Sequence, residues 1–157
     1  MGDIYSAKRE AMKVASLRLL PVLTTTASTM FAVSEVWTLL PFLQPSIEDK
    51  SVSTWFKGFF NYSLPGVIGL GLTSTIGGYL GWKNTAGGAR LFYGWGTILA
   101  AGHFIFVPTI APVIKRIVDG PSNPKDDLMT WLKIHAIRTF TTDIPAFVCF
   151  LGAFLHL

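Results

Sequence analysis

Two long runs of this chain, residues 58–82 and 91–114, carry no formal charge, and a third, residues 19–41, is broken only by Glu35. A helix crossing a hydrocarbon core of roughly 30 Å needs about 20 predominantly apolar residues, and each run reaches that length. A fourth run, residues 144–157, is apolar but short unless its helix begins nearer Arg138. With 50% hydrophobic and only 14% charged residues, the composition departs from that of a water-soluble domain. The expected fold is all-α: a four-helix transmembrane bundle forming one integral membrane domain over residues 1–157, with helices near 15–40, 62–82, 90–114 and 128–156.

Lys8, Arg9, Lys13 and Arg18 precede the first run, as in a secretory signal, but the run is longer than a cleavable signal, so a retained helix is expected. The Gly2 context matches a myristoylation signal only in part, since Ser6 fits and Asp3 does not. Basic residues fall on both sides of the runs, and the positive-inside rule leaves sidedness open. The net charge of +4 suits lipid headgroups, because the basic residues flank apolar runs with no aromatic-basic nucleic-acid motif beside them. The expected partners are the lipid bilayer and a small apolar or aromatic substrate, with no nucleic acid, and homo-oligomerisation is open. The single cysteine, Cys149, has no partner for an internal disulfide and no zinc-type spacing, and reads as a packing residue.

Within the first run, Thr24, Thr25, Thr26, Ser28 and Thr29 read as a helix-packing face. Residues 39–66, with two early prolines and many aromatics, read as a long connection lying against the membrane or capping the bundle. The second run carries Gly66, Gly69, Gly71, Gly77, Gly78 and Gly81, which allow close helix contact; without a preceding strand its GxG is no nucleotide loop. In the third, Pro108 follows His103 by five residues and should bend the helix beside a buried imidazole. No repeat relates the halves, which disfavours an inverted-repeat transporter.

A charged side chain at the bilayer centre costs about 2.5 to 3.5 kcal/mol on insertion scales, so Glu35, His103, His135, Arg138 and Asp143 call for an explanation. Glu35 either reaches the headgroups or points inward. His103 is either a satisfied structural histidine or a general base. Trp131, His135 and Arg138 recur at spacings of four and three and share one helix face. Asp143 follows Arg138 by five residues, just before Pro145, where a kink is expected. These groups form either an inward polar cluster or a charged collar at the membrane surface, with Asp126 or Asp127 capping the last helix and His156 at the interface.

The strings "RLFYGWGTILAAGHFIFVPTIAPVI" and "LMTWLKIHAIRTFTTDIPAFVCFLGAFL" resemble the small four-helix membrane proteins of the anthrone oxygenase-like family. Trp131, His135 and Arg138 match a Trp, an Asn or His, and an Arg there. The chain departs from the family in lacking Pro-Thr-Asn after Pro112 and in placing His135 where Asn is common. The resemblance implies a monooxygenase of polyketide secondary-metabolite biosynthesis in a fungal endomembrane such as the endoplasmic reticulum. It would oxidise an anthrone with molecular oxygen as co-substrate and without metal or other cofactor, through a base-generated carbanion. It implies His135 or His103 as base, Arg138 as enolate donor, Asp143 as orienting or balancing carboxylate, Glu35 in the same cluster, and Trp131, Trp95 and Tyr93 as substrate contacts. Two other functions compete. In a membrane-bound cyclase or isomerase of a polyketide or terpenoid, Glu35 or Asp143 would deliver a proton; in a non-enzymatic scaffold the charges would only hold helices together.

Overall fold

In a computed structural model, residues 2–119 and 123–156 are described, and among them every regular element is helical. Helix α1 (Gly2–Leu39) ends in a 3-10 turn, Leu40–Leu43, and α2 spans Asp49–Lys83. Helix α3 (Gly87–Gly102) runs through a 3-10 turn, His103–Phe106, into α4 (Val107–Asp119). Helix α5 (Pro124–Arg138) runs through a π-helical turn, Thr139–Asp143, into α6 (Ile144–Leu155). Among the described residues, three stretches, Val14–Leu43, Gly87–Asp119 and Pro124–Leu155, are long and apolar enough to cross a membrane. The expected helix at 62–82 forms within α2, but α2 is not among those three: its glycines and hydroxyls dilute its hydropathy.

The long connection expected over residues 39–66 is mostly helix. Pro41 and Pro45 confine the break to residues 40–48, and α2 begins at Asp49. Its first turns place Trp55 between Phe42 and Phe59 at centroid distances of 4.7 and 5.1 Å. Asn123 caps α5 by accepting from the Asp126 backbone N–H at 3.3 Å, displacing the expected aspartate cap. Asp127 instead accepts from Arg116 Nε at 2.7 Å. Gly87, at φ 61°, is the single positive-φ residue among those described and turns the chain from α2 into α3.

Each proline-marked break has a local cause. Pro108 has no N–H and its ring crowds the carbonyl one turn back, that of Phe104; the 3-10 turn lets Val107 N–H take that carbonyl instead. Ahead of Pro145, Ile144 N–H reaches back to Thr139 O, the five-residue bond of a π turn. The threonines beside it help: Thr139, Thr141 and Thr142 hydroxyls donate to the carbonyls of His135, Ile137 and Arg138 at 2.9, 2.7 and 2.7 Å.

Two apolar cores result. One joins Leu39, Val52, Phe56, Ile117, Leu128 and Trp131; the other joins Val22, Tyr93, Ala100, Ala146, Phe150 and Ala153. Between these cores each of α1, α3–α4 and α5–α6 buries polar side chains: Thr25 and Glu35 on the first, His103 on the second, and His135, Arg138, Thr142 and Asp143 on the third. Close contact at the second core depends on Gly78 and Gly96, where an added Cβ would lie 2.5 and 2.6 Å from the Phe150 ring. Gly66 and Gly69, by contrast, face open space.

Candidate active site

The five ionisable side chains meet in the layer between the cores. Glu35 is 5% exposed, His103 7%, His135 1%, Arg138 8% and Asp143 5%, so they form neither a surface collar nor a headgroup-reaching glutamate. Helix α1 contributes Glu35, the 3-10 turn His103, α5 His135 and Arg138, and the π turn Asp143. His103 Nδ1 lies 2.9 Å from Asp143 Oδ1, with Thr142 Oγ1 3.3 Å from the same oxygen. Arg138 Nε stands 3.4 Å from Asp143 Oδ2 but is not aligned as a hydrogen bond. Glu35 Oε2 is 3.6 Å from His135 Nδ1 and 4.0 Å from Arg138 Nη2.

The hydrogen bonds assign the imidazoles different work. His135 Nε2 is 3.0 Å from Ala32 O; a carbonyl only accepts, so Nε2 carries the proton. Its Nδ1 then accepts from Arg138 Nη2 at 3.0 Å. Both nitrogens are engaged, the ring is stacked on Trp131 at 4.8 Å, and no lone pair is free to act as a base. His103 differs. Its Nδ1–H donates to Asp143, an arrangement that sets the tautomer and leaves Nε2 with its lone pair available. One guanidinium faces two carboxylates, Asp143 at 3.4 Å and Glu35 at 4.0 Å, and so pairs the buried charges of the layer.

A cavity of about 540 Å³ opens beside this layer, lined by Glu35, His103, Trp131 and Arg138 at its polar end and by side chains of α2 and α4 elsewhere. Its wall includes Leu64, Ile68 and Val107, which are also exposed on the outer face, so the cavity opens sideways between α2 and α4. A far smaller void of about 10 Å³ lies behind His103 and Asp143, bordered by Thr25, Ser28 and Ser74. That is near the lower bound for one water. No group of three or more His, Cys, Asp or Glu side chains placed to hold a metal occurs among the described residues.

Tyr93 and Trp95 do not line the cavity. Tyr93 is packed in the second core, its hydroxyl donating to Arg18 O at 3.2 Å, and Trp95 is 61% exposed on the outer face. Two positions along an α-helix are about 200° of rotation, which turns Tyr93 inward and Trp95 outward on α3. Trp131 does line the cavity, but one face lies on His135 and Phe56 meets it edge-on at 5.7 Å. Sequence reasoning missed Phe60, Ser63, Val67 and Phe104, which shape the apolar wall. Their only sequence signal is proximity to Pro65 and Pro108.

The chain is 28% identical to the epoxidase gkaX of Penicillium citrinum, across 87% of this chain and 91% of that protein. It is 28% identical to the probable epoxidase scpX of Mollisia scopiformis, across 92% and 98%. It is also 28% identical to the oxaleimides biosynthesis cluster protein N of Penicillium oxalicum, across 92% and 90%. No family model matches the chain, and no solved structure does. The chain is thus similar to fungal proteins named for epoxidation and for secondary-metabolite clusters, while the anthrone oxygenase-like resemblance rests on its short motifs.

Proposed function

We propose that this protein is a membrane-embedded oxygenase of fungal secondary metabolism, a four-helix bundle in which α2 is the fourth crossing. The observation that carries the reading is His103, held from behind by Asp143, on the wall of an apolar, sideways-opening cavity; the epoxidase names of the relatives support the oxidative assignment. The substrate is an apolar, anthrone-type polyketide or a related metabolite with an acidic C–H next to a carbonyl.

In this scheme His103 Nε2 removes the C–H proton, a step worth roughly 10² to 10⁴ in rate when the base is in reach. Asp143 holds the ring and steadies the imidazolium. Arg138 stabilises the enolate oxygen, where water exclusion strengthens a fixed donor. The carbanion gives its electrons to O2, and the resulting peroxide takes back the proton held by His103 to become a hydroperoxide. His103 then removes the remaining proton from the same carbon as the O–O bond breaks and returns it to the departing hydroxide, so CH2 and O2 become C=O and H2O. Where a C=C bond lies alongside, the outer peroxide oxygen passes to it, and an epoxide and an alcohol share the two atoms of one O2. Either way the substrate supplies the electrons.

The test is oxygen uptake by the purified protein with an anthrone under oxygen-18 gas. The expected product carries one labelled oxygen and appears at a rate that depends on His103. A product equal in mass to the substrate, formed without oxygen uptake, would replace this reading with that of a cyclase or isomerase. No turnover of any polyketide, with normally folded His103 and Asp143 variants, would leave the scaffold.

A further inference from the structure

Glu35 brings a carboxyl group from α1 to the polar end of the cavity, where it is 5% exposed and has no hydrogen bond among the described residues. The nearest protein groups do not satisfy it. His135 Nδ1, 3.6 Å away, accepts from Arg138 and has no hydrogen to offer. Arg138 Nη2 stands 4.0 Å away, beyond hydrogen-bond reach. Trp131 Nε1 and Arg138 Nε also lack partners, but those two atoms are sealed in packed protein, whereas the Glu35 oxygens open on the cavity. A buried carboxyl group without a donor is disfavoured, so the open side of Glu35 is where a ligand's donor belongs.

The rest of the wall narrows what that ligand is. Phe60, Val67, Ile110 and Ile114 present apolar side chains, and the Ser63 hydroxyl donates to Phe60 O at 3.3 Å. Arg138, the donor proposed for the enolate oxygen, stands beside Glu35. A donor and an acceptor side by side on an apolar wall fit a polycycle that carries an oxygen acceptor and, separately, a hydroxyl. From this geometry we infer that Glu35 accepts a hydrogen bond from a substrate hydroxyl and selects a hydroxylated polycycle over one with a methyl group in the same place. The two bonds, to Glu35 and to Arg138, set which carbon faces His103 Nε2, so Glu35 is a specificity-determining residue that touches substrate while taking no proton from carbon. This inference deepens the proposed oxygenase reading and rests on its choice of cavity.

Two unreactive ligands of matched shape test it: 2-hydroxyanthraquinone, at a pH where the phenol is neutral, and 2-methylanthraquinone, which keeps the carbonyls and lacks the donor. Their affinities for the full-length protein in detergent are measured by calorimetry and corrected for uptake into empty micelles. The hydroxyl ligand should bind about tenfold tighter, the effect expected for one hydrogen bond. Glu35→Met, apolar and unbranched like glutamate, should erase that ratio. His103→Leu and Ser63→Ala, which remove the other acceptors on the wall, should keep it. Equal affinities on the unaltered protein, or binding of neither ligand, would overturn the inference, as would a ratio that survives Glu35→Met or collapses in His103→Leu or Ser63→Ala. If Glu35→Met does not fold, the other two variants decide, and the ratio must persist in both. Binding is read apart from oxygen uptake. Hydroxyl selectivity without oxygenation of any anthrone would sink the oxygenase reading and leave the Glu35 contact standing; oxygenation without the selectivity would do the reverse.

Discussion

In the proposed reaction His103 and Asp143 act as one unit, because the carboxylate determines which imidazole nitrogen is free. His103→Asn would remove the proposed base, and Asp143→Asn the charge proposed to steady the imidazolium from 2.9 Å. Each substitution should lower kcat for anthrone oxidation by roughly 10² to 10⁴. Groups that act together lose their effect together, so the double variant should be no slower than the worse single one. Oxygen-uptake kinetics of the three variants check this, and losses that multiply would mean the two residues act separately. His135 stands apart. With Nε2–H on Ala32 O and Nδ1 on Arg138, it aligns the guanidinium and ties α5 to α1.

At the scale of elements, contact between α2, α3 and α6 depends on a few missing methyl groups. Gly78→Ala would drive a Cβ to 2.5 Å from the Phe150 ring and 2.6 Å from Thr97 Oγ1, and a ring packed in a core cannot swing away as a flexible chain end can. Overpacking of this kind costs about 1 to 3 kcal/mol. Gly69→Ala meets nothing within 4 Å and should be neutral or stabilising by up to about 1 kcal/mol, through helix propensity. Thermal unfolding in detergent separates the two, and equal midpoints would contradict the packing described. The π turn matters at the same scale. Five residues advance an α-helix by about 500°, which would leave Arg138 and Asp143 some 140° apart; the wider π turn returns them to one side, 3.4 Å apart.

For the whole molecule, four alternating rods put residue 84, at the end of α2, on the side opposite residue 44 if α2 crosses the bilayer. In a Cys149→Ser background, Asn84→Cys and His156→Cys should react with a membrane-impermeant thiol reagent from one side and Gln44→Cys from the other. Labelling of positions 44 and 84 from the same side would show that α2 does not cross. Much of the plan was legible in the chain: charge-free runs marked the helices, and the prolines at 108 and 145 marked where regular α-helix gives way. The long connection was misread because Trp55, Phe56, Phe59 and Phe60 resemble an interfacial belt, whereas they stack within the first turns of α2. The sequence by itself determined where helices form and which residues are too polar for lipid, since both follow from local hydropathy and backbone chemistry. Only the tertiary structure decided who meets whom: His103 finds Asp143 from 40 residues away and His135 finds Ala32 from 103, pairings that no helical period encodes because they arise from how separate rods rotate and pack.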